Sequence, residues 1–542
     1  MNDSGPGRRM ERLANRILLM TGWRRVGLAV AAGALSALAQ APFNLFAVCF
    51  ITFPVLVFLL DGAIARPSRS WIAAAWPAFA TGWWFGFAYF AAGLWWIGNA
   101  LFVEAREFLW LWPFALLGIP AALALFYGLA AVLARMMWSD GVARFAALAF
   151  GFGVAEWLRG FAFTGFPWNA MGYAAMPVPM LMQSASVLGV LGMNALAVFA
   201  FALPAGIAAG RWRAVFSTML LAVLVGAHAG YGWWRLDHAP GDAGQGPLVR
   251  IVQPAIDQSK KWDAAQRTEI FDTLLALTKE PGDSGEKPKI IVWPETSVPF
   301  ILTEAPDAVA AIADALDADQ VLLAGAVRAA ETSGDSGRLY YNSILAVNGD
   351  GVIFDAADKR HLVPFGEYLP FKAVADRLGL KKIADADRGY TAAEGRRTLS
   401  LPGGVAALPS VCYEAIFPYE TQADGDPATV IVNVTNDAWY GDTPGPYQHL
   451  QQGRIRAVEN GLPMVRAANN GVSAIFDPWG RQADALGYGV KGAVEARLAD
   501  PLSGTLYRQY GRRFFWALLL VLAALAATGR YAERAWRARR HP

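Results

Sequence analysis

The run Val405-Ala-Ala-Leu-Pro-Ser-Val-Cys-Tyr-Glu, residues 405–414, carries an apolar stretch directly onto a thiol, Cys412, and an acid, Glu414. Short apolar runs of this kind read as buried strands, and a residue that leaves one is held rigidly while still facing a cleft. Working outward, the pattern recurs upstream. Glu295 leaves the run Ile290-Ile-Val-Trp through a proline, and Val352-Ile-Phe leads into Asp358-Lys-Arg-His-Leu-Val-Pro-Phe-Gly-Glu, which holds Lys359 and Glu367. Further β-like runs lie at 249–252, 321–324, 343–347, 430–434 and 473–476, with helical patterns at 264–279 and 306–318 between them. This alternation predicts a layered α/β domain over 247–505.

The rest of the 542-residue chain is of another kind. Charged residues make up 17 % of the whole and hydrophobic ones 55 %, against about 25 % charged in soluble domains, so an integral membrane protein is expected. A net charge of +3, with basic residues gathered at the ends of apolar segments, does not fit a nucleic-acid surface. Cys49 and Cys412 are too few and too differently placed for a disulfide framework. His228, His238, His361, His449 and His541 lack ligand spacing, and no Gly-rich phosphate loop follows a strand. Neither metal nor nucleotide cofactor is expected, and His361 and His449 could line the site, although packing or surface hydrogen bonding is the commoner role for such residues.

Apolar segments approaching the roughly 20 residues of a membrane span lie at 26–40, extendable back toward 18, and at 45–60, 71–96, 109–134, 145–158, 185–209, 215–233 and 514–528. Seven precede the α/β block and one follows it. This predicts a polytopic helical membrane domain over 1–236, a linker at 237–247, a C-terminal span at 512–530 and a basic tail at 531–542. Basic residues near span ends stay on the cytoplasmic side. Arg8, Arg9, Arg12, Arg16, Arg24 and Arg25 place the N-terminus there; Arg66 and Arg69, Arg135 and Arg144, and Arg211 and Arg213 do so for every second loop; Arg530, Arg534, Arg537, Arg539 and Arg540 do so for the tail. The intervening loops are poor in basic residues, the third-to-fourth carrying Arg106 beside Glu104 and Glu107. After seven crossings the α/β block falls outside, which at an inner membrane is the periplasm. The first segment also fits a cleavable signal peptide ending near Ala39-Gln-Ala, and cleavage would leave that side unchanged. Glu156 and Arg159 are spaced to pair on one helix face, and Trp71, Trp95, Trp96, Trp110, Trp233 and Trp234 read as interfacial anchors.

Glutamate, lysine and cysteine in this order suit a thiol that carries an acyl group. A carboxylate takes the thiol proton, and an ammonium stabilises first the thiolate and then the oxyanion. Residue types alone leave a buried structural cysteine the commoner outcome. The local strings are more specific: Trp293-Pro-Glu, Asp358-Lys-Arg-His-Leu-Val-Pro-Phe-Gly-Glu-Tyr and Val411-Cys-Tyr-Glu resemble the nitrilase superfamily, which implies an αββα sandwich with a Glu-Lys-Cys site. With Glu156-Trp-Leu-Arg-Gly, Phe166-Pro-Trp, Asn436-Asp-Ala-Trp-Tyr-Gly, Gly445-Pro-Tyr-Gln-His and Asn469-Asn-Gly, the whole chain resembles the apolipoprotein N-acyltransferase family within it. Ser297 departs from that family's frequent Ala.

The resemblance implies Glu295 as general base, Lys359 as stabiliser of thiolate and oxyanion, and Cys412 as nucleophile. Glu367 would position Lys359, the Tyr413 backbone N–H would bind the oxyanion, Glu414 would hold the loop, and Trp262 would lie near the acyl chain. It also implies a phospholipid donor, phosphatidylethanolamine, and a diacylglyceryl apolipoprotein acceptor at the inner membrane. Two other readings stand beside it. A membrane-tethered amidase would use the same triad with water resolving the thioester. A transporter or receptor would only bind ligand through its outer domain, against which stand the few intramembrane charges and the lack of a broken helix pair in matching halves.

Overall fold

A computed structural model describes residues 6–64, 70–103, 105–241, 244–282, 285–331, 337–370, 377, 389–421 and 427–540. Arg66, Arg69, Glu104 and His541, used in the sequence reading, lie outside them, as do the side chains of Arg8 and Arg540. The chain divides into two compact units: Met1–Ile97, Trp112–His238 and Gln509–Pro542 form one, and Gly98–Leu111 with Ala239–Arg508 the other.

The α/β unit holds twelve strands among the described residues: β1 (Leu248–Gln253), β2 (Ile290–Trp293), β3 (Val321–Glu331), β4 (Arg338–Asn348), β5 (Ile353–Asp358), β6 (Leu399–Leu401), β7 (Val405–Val411), β8 (Val430–Thr435), β9 (Met464–Ala468), β10 (Ser473–Phe476), β11 (Gln482–Leu486) and β12 (Gly492–Arg497). They form two six-stranded sheets, β12-β1-β2-β3-β4-β5 and β6-β7-β8-β9-β10-β11. Each is parallel across its second to fourth strands and antiparallel elsewhere, so the two repeat one pairing pattern.

Period-two alternation sorts the strand residues between faces. Val249, Ile251, Ile290, Val292, Val321 and Leu323 share one core with Val411, Val432, Val465 and Ile475, which is where the sheets meet. The alternate residues Val252, Ile291, Trp293, Leu322 and Ala324 instead pack with Ile270, Leu274 and Ile312 of the helices Arg267–Lys279 and Pro306–Ala313. On the far side of the second sheet, Leu408, Ile431 and Met464 pack with Ala457 of the helix Pro444–Asn460. The layers run helix, sheet, sheet, helix. Strands buried on both faces read as continuous apolar runs, which is why β2, β7 and β8 were visible. The sequence reading lacked β6, β9, β11 and β12. β6 has three residues, β9 is broken by a charged Arg466, and β11 and β12 are half exposed and mixed in character. The helix expected at 264–279 begins at Arg267, and the one at 306–318 stops at Ala313.

In the other unit, all eight apolar segments fall on helices: Gly22–Ser36, Cys49–Asp61, Trp71–Leu94, Ile119–Met136, Ala143–Arg159, Ala185–Ala202, Arg211–Asp237 and Arg513–Arg540. Among the described residues, five stretches are long and apolar enough to cross a membrane: Trp71–Phe102, Ala105–Met136, Ala185–Ala209, Arg211–Asp237 and Arg513–Arg539. Arg9–Leu18 and Gly22–Ala39 pass only as a pair bent by 117°. The first segment therefore does not extend straight back toward residue 18, because the chain turns at Gly22, where φ is +59. Small residues let these helices approach closely: a Cβ on Gly82 would run into the carbonyl of Tyr127, and one on Gly151 into that of Ala130. Glu156 and Arg159 do pair, each 1 % exposed; Arg159 also donates to the carbonyls of Phe166 and Trp168, whereas only one carboxylate oxygen of Glu156 takes part in the pair.

Candidate functional site

Three strand exits converge in the α/β unit. Glu295 follows β2, Lys359 follows β5 and Cys412 follows β7, and all three are buried. Lys359 Nζ donates to Glu367 at 2.9 Å and lies 3.5 Å from Glu295 Oε1. Asn342, on β4, bridges the two carboxylates, its Nδ2 donating to Glu295 Oε1 at 2.7 Å and to Glu367 Oε1 at 2.9 Å. The Val363 N–H donates to the other oxygen of Glu367 at 2.8 Å. Each connecting loop contains a non-glycine residue at positive φ: Thr296 at 45°, Phe365 at 65° and Cys412 itself at 48°. Such strain persists only where surroundings over-determine it, and it gathers at working sites.

Glu414 accounts for part of that determination. Its Oε2 accepts from Val411 N at 2.7 Å, while Oε1 accepts from Arg360 N, His361 N and Arg396, all within 3.1 Å. The acid thus ties the Cys412 turn to the Lys359 loop. Tyr413 packs edge-on against His361 and Phe417.

Electrostatics divides the roles. Burial pushes the Cys412 thiol up to about 12, helped by Glu295 and opposed by Lys359 and a Thr435 hydrogen bond. The thiol is neutral at rest. Burial works against the Lys359 ammonium, but Glu367, Glu295 and Cys412 outweigh it and hold the lysine above its ordinary range. A permanent cation, a neutral thiol and an adjacent carboxylate can transfer a proton during attack and hold the oxyanion that follows.

Other residues gather here that the sequence does not single out, apart from His449, which could line the site. His449 is fully buried; its Nε2 donates to the carbonyl of Cys412 at 3.0 Å, and its Nδ1 meets Asp437 at 2.8 Å. Arg466 donates to the second oxygen of Asp437 at 2.6 Å. Asn469 donates to the carbonyl of Ile256 at 2.9 Å and to Asn436 at 3.0 Å, and Asn436 to Gln258, which ties the loop after β1 to the ends of β8 and β9. Lys261 reaches the carbonyl of Glu295 at 3.1 Å. The signals were present but bland: a polar residue in an apolar strand for Asn342 and Arg466, a charge run for Lys261. Trp262 does not join the cluster and is 40 % exposed.

Residues 248–501 match the carbon-nitrogen hydrolase family, and residues 32–203 match the apolipoprotein N-acyltransferase N-terminal domain. The apolipoprotein N-acyltransferase of Rhizobium rhizogenes is 50 % identical over 528 residues, covering 96 % of this chain and 98 % of its own. That of Brucella suis biovar 1 is 52 % identical over 521 residues, covering 95 % and 97 %. Among solved structures, an amidase from Nesterenkonia sp. aligns with 52 % of this chain and 98 % of its own at 17 % identity and a TM-score of 0.35, a likeness too weak to argue from. Half of all positions are identical along nearly the whole length, and both parts of the chain are matched in order, so this chain belongs to the apolipoprotein N-acyltransferase family.

Proposed function

We propose that this protein moves a fatty acyl chain from a phospholipid, through a thioester on Cys412, to the α-amine of the N-terminal diacylglyceryl-cysteine of apolipoproteins. The observation that carries the reading is the buried cluster of Glu295, Lys359, Glu367 and Cys412 at the ends of three strands. Glu295 takes the thiol proton as sulfur attacks the ester carbonyl of a donor, phosphatidylethanolamine. Lys359 and the Tyr413 backbone N–H hold the oxyanion. Collapse expels the lysophospholipid oxygen, which recovers the proton from Glu295. In the second half the acceptor amine attacks the thioester, Glu295 takes its proton, and sulfur leaves and is reprotonated as the amide forms. Glu367 positions Lys359, Glu414 holds the Cys412 turn, and Trp262 lines the acyl path.

The same proposal takes the chain as a multi-pass inner-membrane protein. A membrane domain at 1–236 contributes seven spans, the catalytic domain at 247–505 is periplasmic, an eighth span lies at 512–530 and both termini are cytoplasmic. Arginine placement at alternate loops supports this orientation.

Intact mass of purified protein incubated with phosphatidylethanolamine of known acyl composition tests the reading. A fatty-acyl increment on wild type and none on Cys412→Ala, discharged by a diacylglyceryl-cysteine peptide and not by water, is expected. Discharge by water alone would instead make the protein an amidase-like hydrolase. A folded wild type with no increment would rule out a lipid donor.

A further inference from the structure

A second buried ammonium reaches this cluster, and none of the roles above uses it. Lys261 is 2 % exposed; its Nζ donates to the main-chain carbonyl of Glu295 at 3.1 Å and has no other hydrogen-bond or ion-pair partner among the described residues. It retains uncommitted N–H groups while interacting electrostatically with Glu295 and Cys412. Its own loop contributes only the exposed Asp257, Lys260 and Asp263.

The charges of the site do not balance without it. Glu295 and Glu367 are two carboxylates that share one ammonium, Lys359. Asp437 is already matched by Arg466 and His449. Burial and the neighbouring carboxylates push the Tyr390 hydroxyl up, and burial with Cys412 and Asp437 does the same to Tyr440, so both stay neutral. One buried negative charge is left over unless Lys261 carries its proton, and an uncompensated buried charge is costly. The choice of acceptor matters as well. Bonded to the main chain, Lys261 supplies charge without occupying a carboxylate lone pair that a base needs. It also pins the turn whose next residue, Thr296, is strained at φ 45.

We propose that Lys261 is a positioning residue of the acyl transfer: its ammonium supplies the second positive charge that keeps Glu295 ionised as the base, and it holds the Glu295 turn by the main-chain carbonyl. This rests on the thioester reading above. The reacting proton still moves between Cys412 or the acceptor amine and Glu295, and Lys261 neither gains nor loses one during turnover. Burial brings its amine down to about 8, so the protonated, supporting form is lost as pH rises through that value.

The test follows acyl loading of the full-length protein on phosphatidylethanolamine, by intact mass across a pH series, for wild type, Lys261→Gln and Lys261→Arg. Wild-type loading should fall above about pH 8. Lys261→Arg should keep loading with that alkaline limb displaced upward, because a guanidinium does not titrate in this range. Lys261→Gln should load about tenfold to a hundredfold more slowly, with its acidic limb moved up and the half-saturating lipid concentration unchanged. A glutamine variant with the wild-type profile overturns the inference, as does equal slowing of both variants with unshifted limbs, the mark of a packing role. If the glutamine variant does not fold, the arginine variant decides alone: a limb still near that of wild type overturns the inference. Wild type that gains no acyl mass removes the thioester reading and this inference together, whereas a loading wild type with indifferent variants removes only the inference.

Discussion

Cys412 is held at φ 48 with its carbonyl engaged by His449 and its preceding N–H by Glu414. A non-glycine residue in that region costs about 1–3 kcal/mol, so the neighbours must supply the difference. Because the thiol is held up at about 12, attack needs a base acting in concert. Glu295→Gln is expected to slow acyl loading about 10²–10⁴-fold in mass-resolved kinetics, and a rate within tenfold of wild type would take the base role from Glu295. Arg466 gives a stability prediction. Truncating it to Met leaves the buried Asp437 carboxylate without its guanidinium, with only Thr435 and His449 still beside it, at about 3–5 kcal/mol, read as a lowered unfolding midpoint. Adding Asp437→Asn should recover part of the loss, and no recovery would break the pairing argument. Burial pushes the Asp437 carboxyl up, but Arg466, His449 and Thr435 outweigh it and the net direction is down. A carboxyl depressed in the folded state stabilises fully above its unfolded pKa, about 4, and less as pH falls through the folded value. Acid-induced loss of stability below about pH 4 should accordingly be shallower in the double variant than in wild type.

At the scale of elements, the helix Pro444–Asn460 matters because it carries His449 under the Cys412 turn. Its ends are well defined. Thr443 caps the start through the Gly445 N–H at 3.2 Å, with Pro444 in the first turn, and Gly461 closes the other end in the left-handed region at φ 64. A Cβ on Gly461 would also meet Thr505 Cγ2 at 2.9 Å. Gly461→Ala is expected to cost about 1–2 kcal/mol from backbone handedness alone, more with the contact, whereas Thr443→Ala should cost about 1 kcal/mol. Chemical denaturation of the two variants checks the order, and a milder effect at Gly461 than at Thr443 would contradict it. The strands were legible to the extent that both faces are buried. β9 was missed because Arg466, which reads as a surface residue, is satisfied inside by Asp437, Asn433 and the carbonyl of Val472.

For the whole molecule, the proposed orientation predicts that an alkaline phosphatase fused after residue 240 is active and one fused after residue 213 is not; the reverse pattern would invert the topology. Long apolar segments and arginines at their ends are local properties, and so the helices, the change of character near 247 and the strand-exit positions of Glu295, Lys359 and Cys412 were open to reading from the chain itself. So was the family, through strings that keep their order. Which polar residues join the site was not, because Asn342, Lys261, Asp437 and Arg466 acquire meaning only from what faces them at sequence separations of 12 to 47 residues. A lysine in a Lys-Lys-Trp run looks solvated until the fold buries it, and an arginine in a strand looks like an edge until a carboxylate is found beneath it. The sequence determined the layers and the strand-exit positions of the candidate trio; tertiary packing decided the charge balance around them, since burial and partner geometry exist only once distant segments meet.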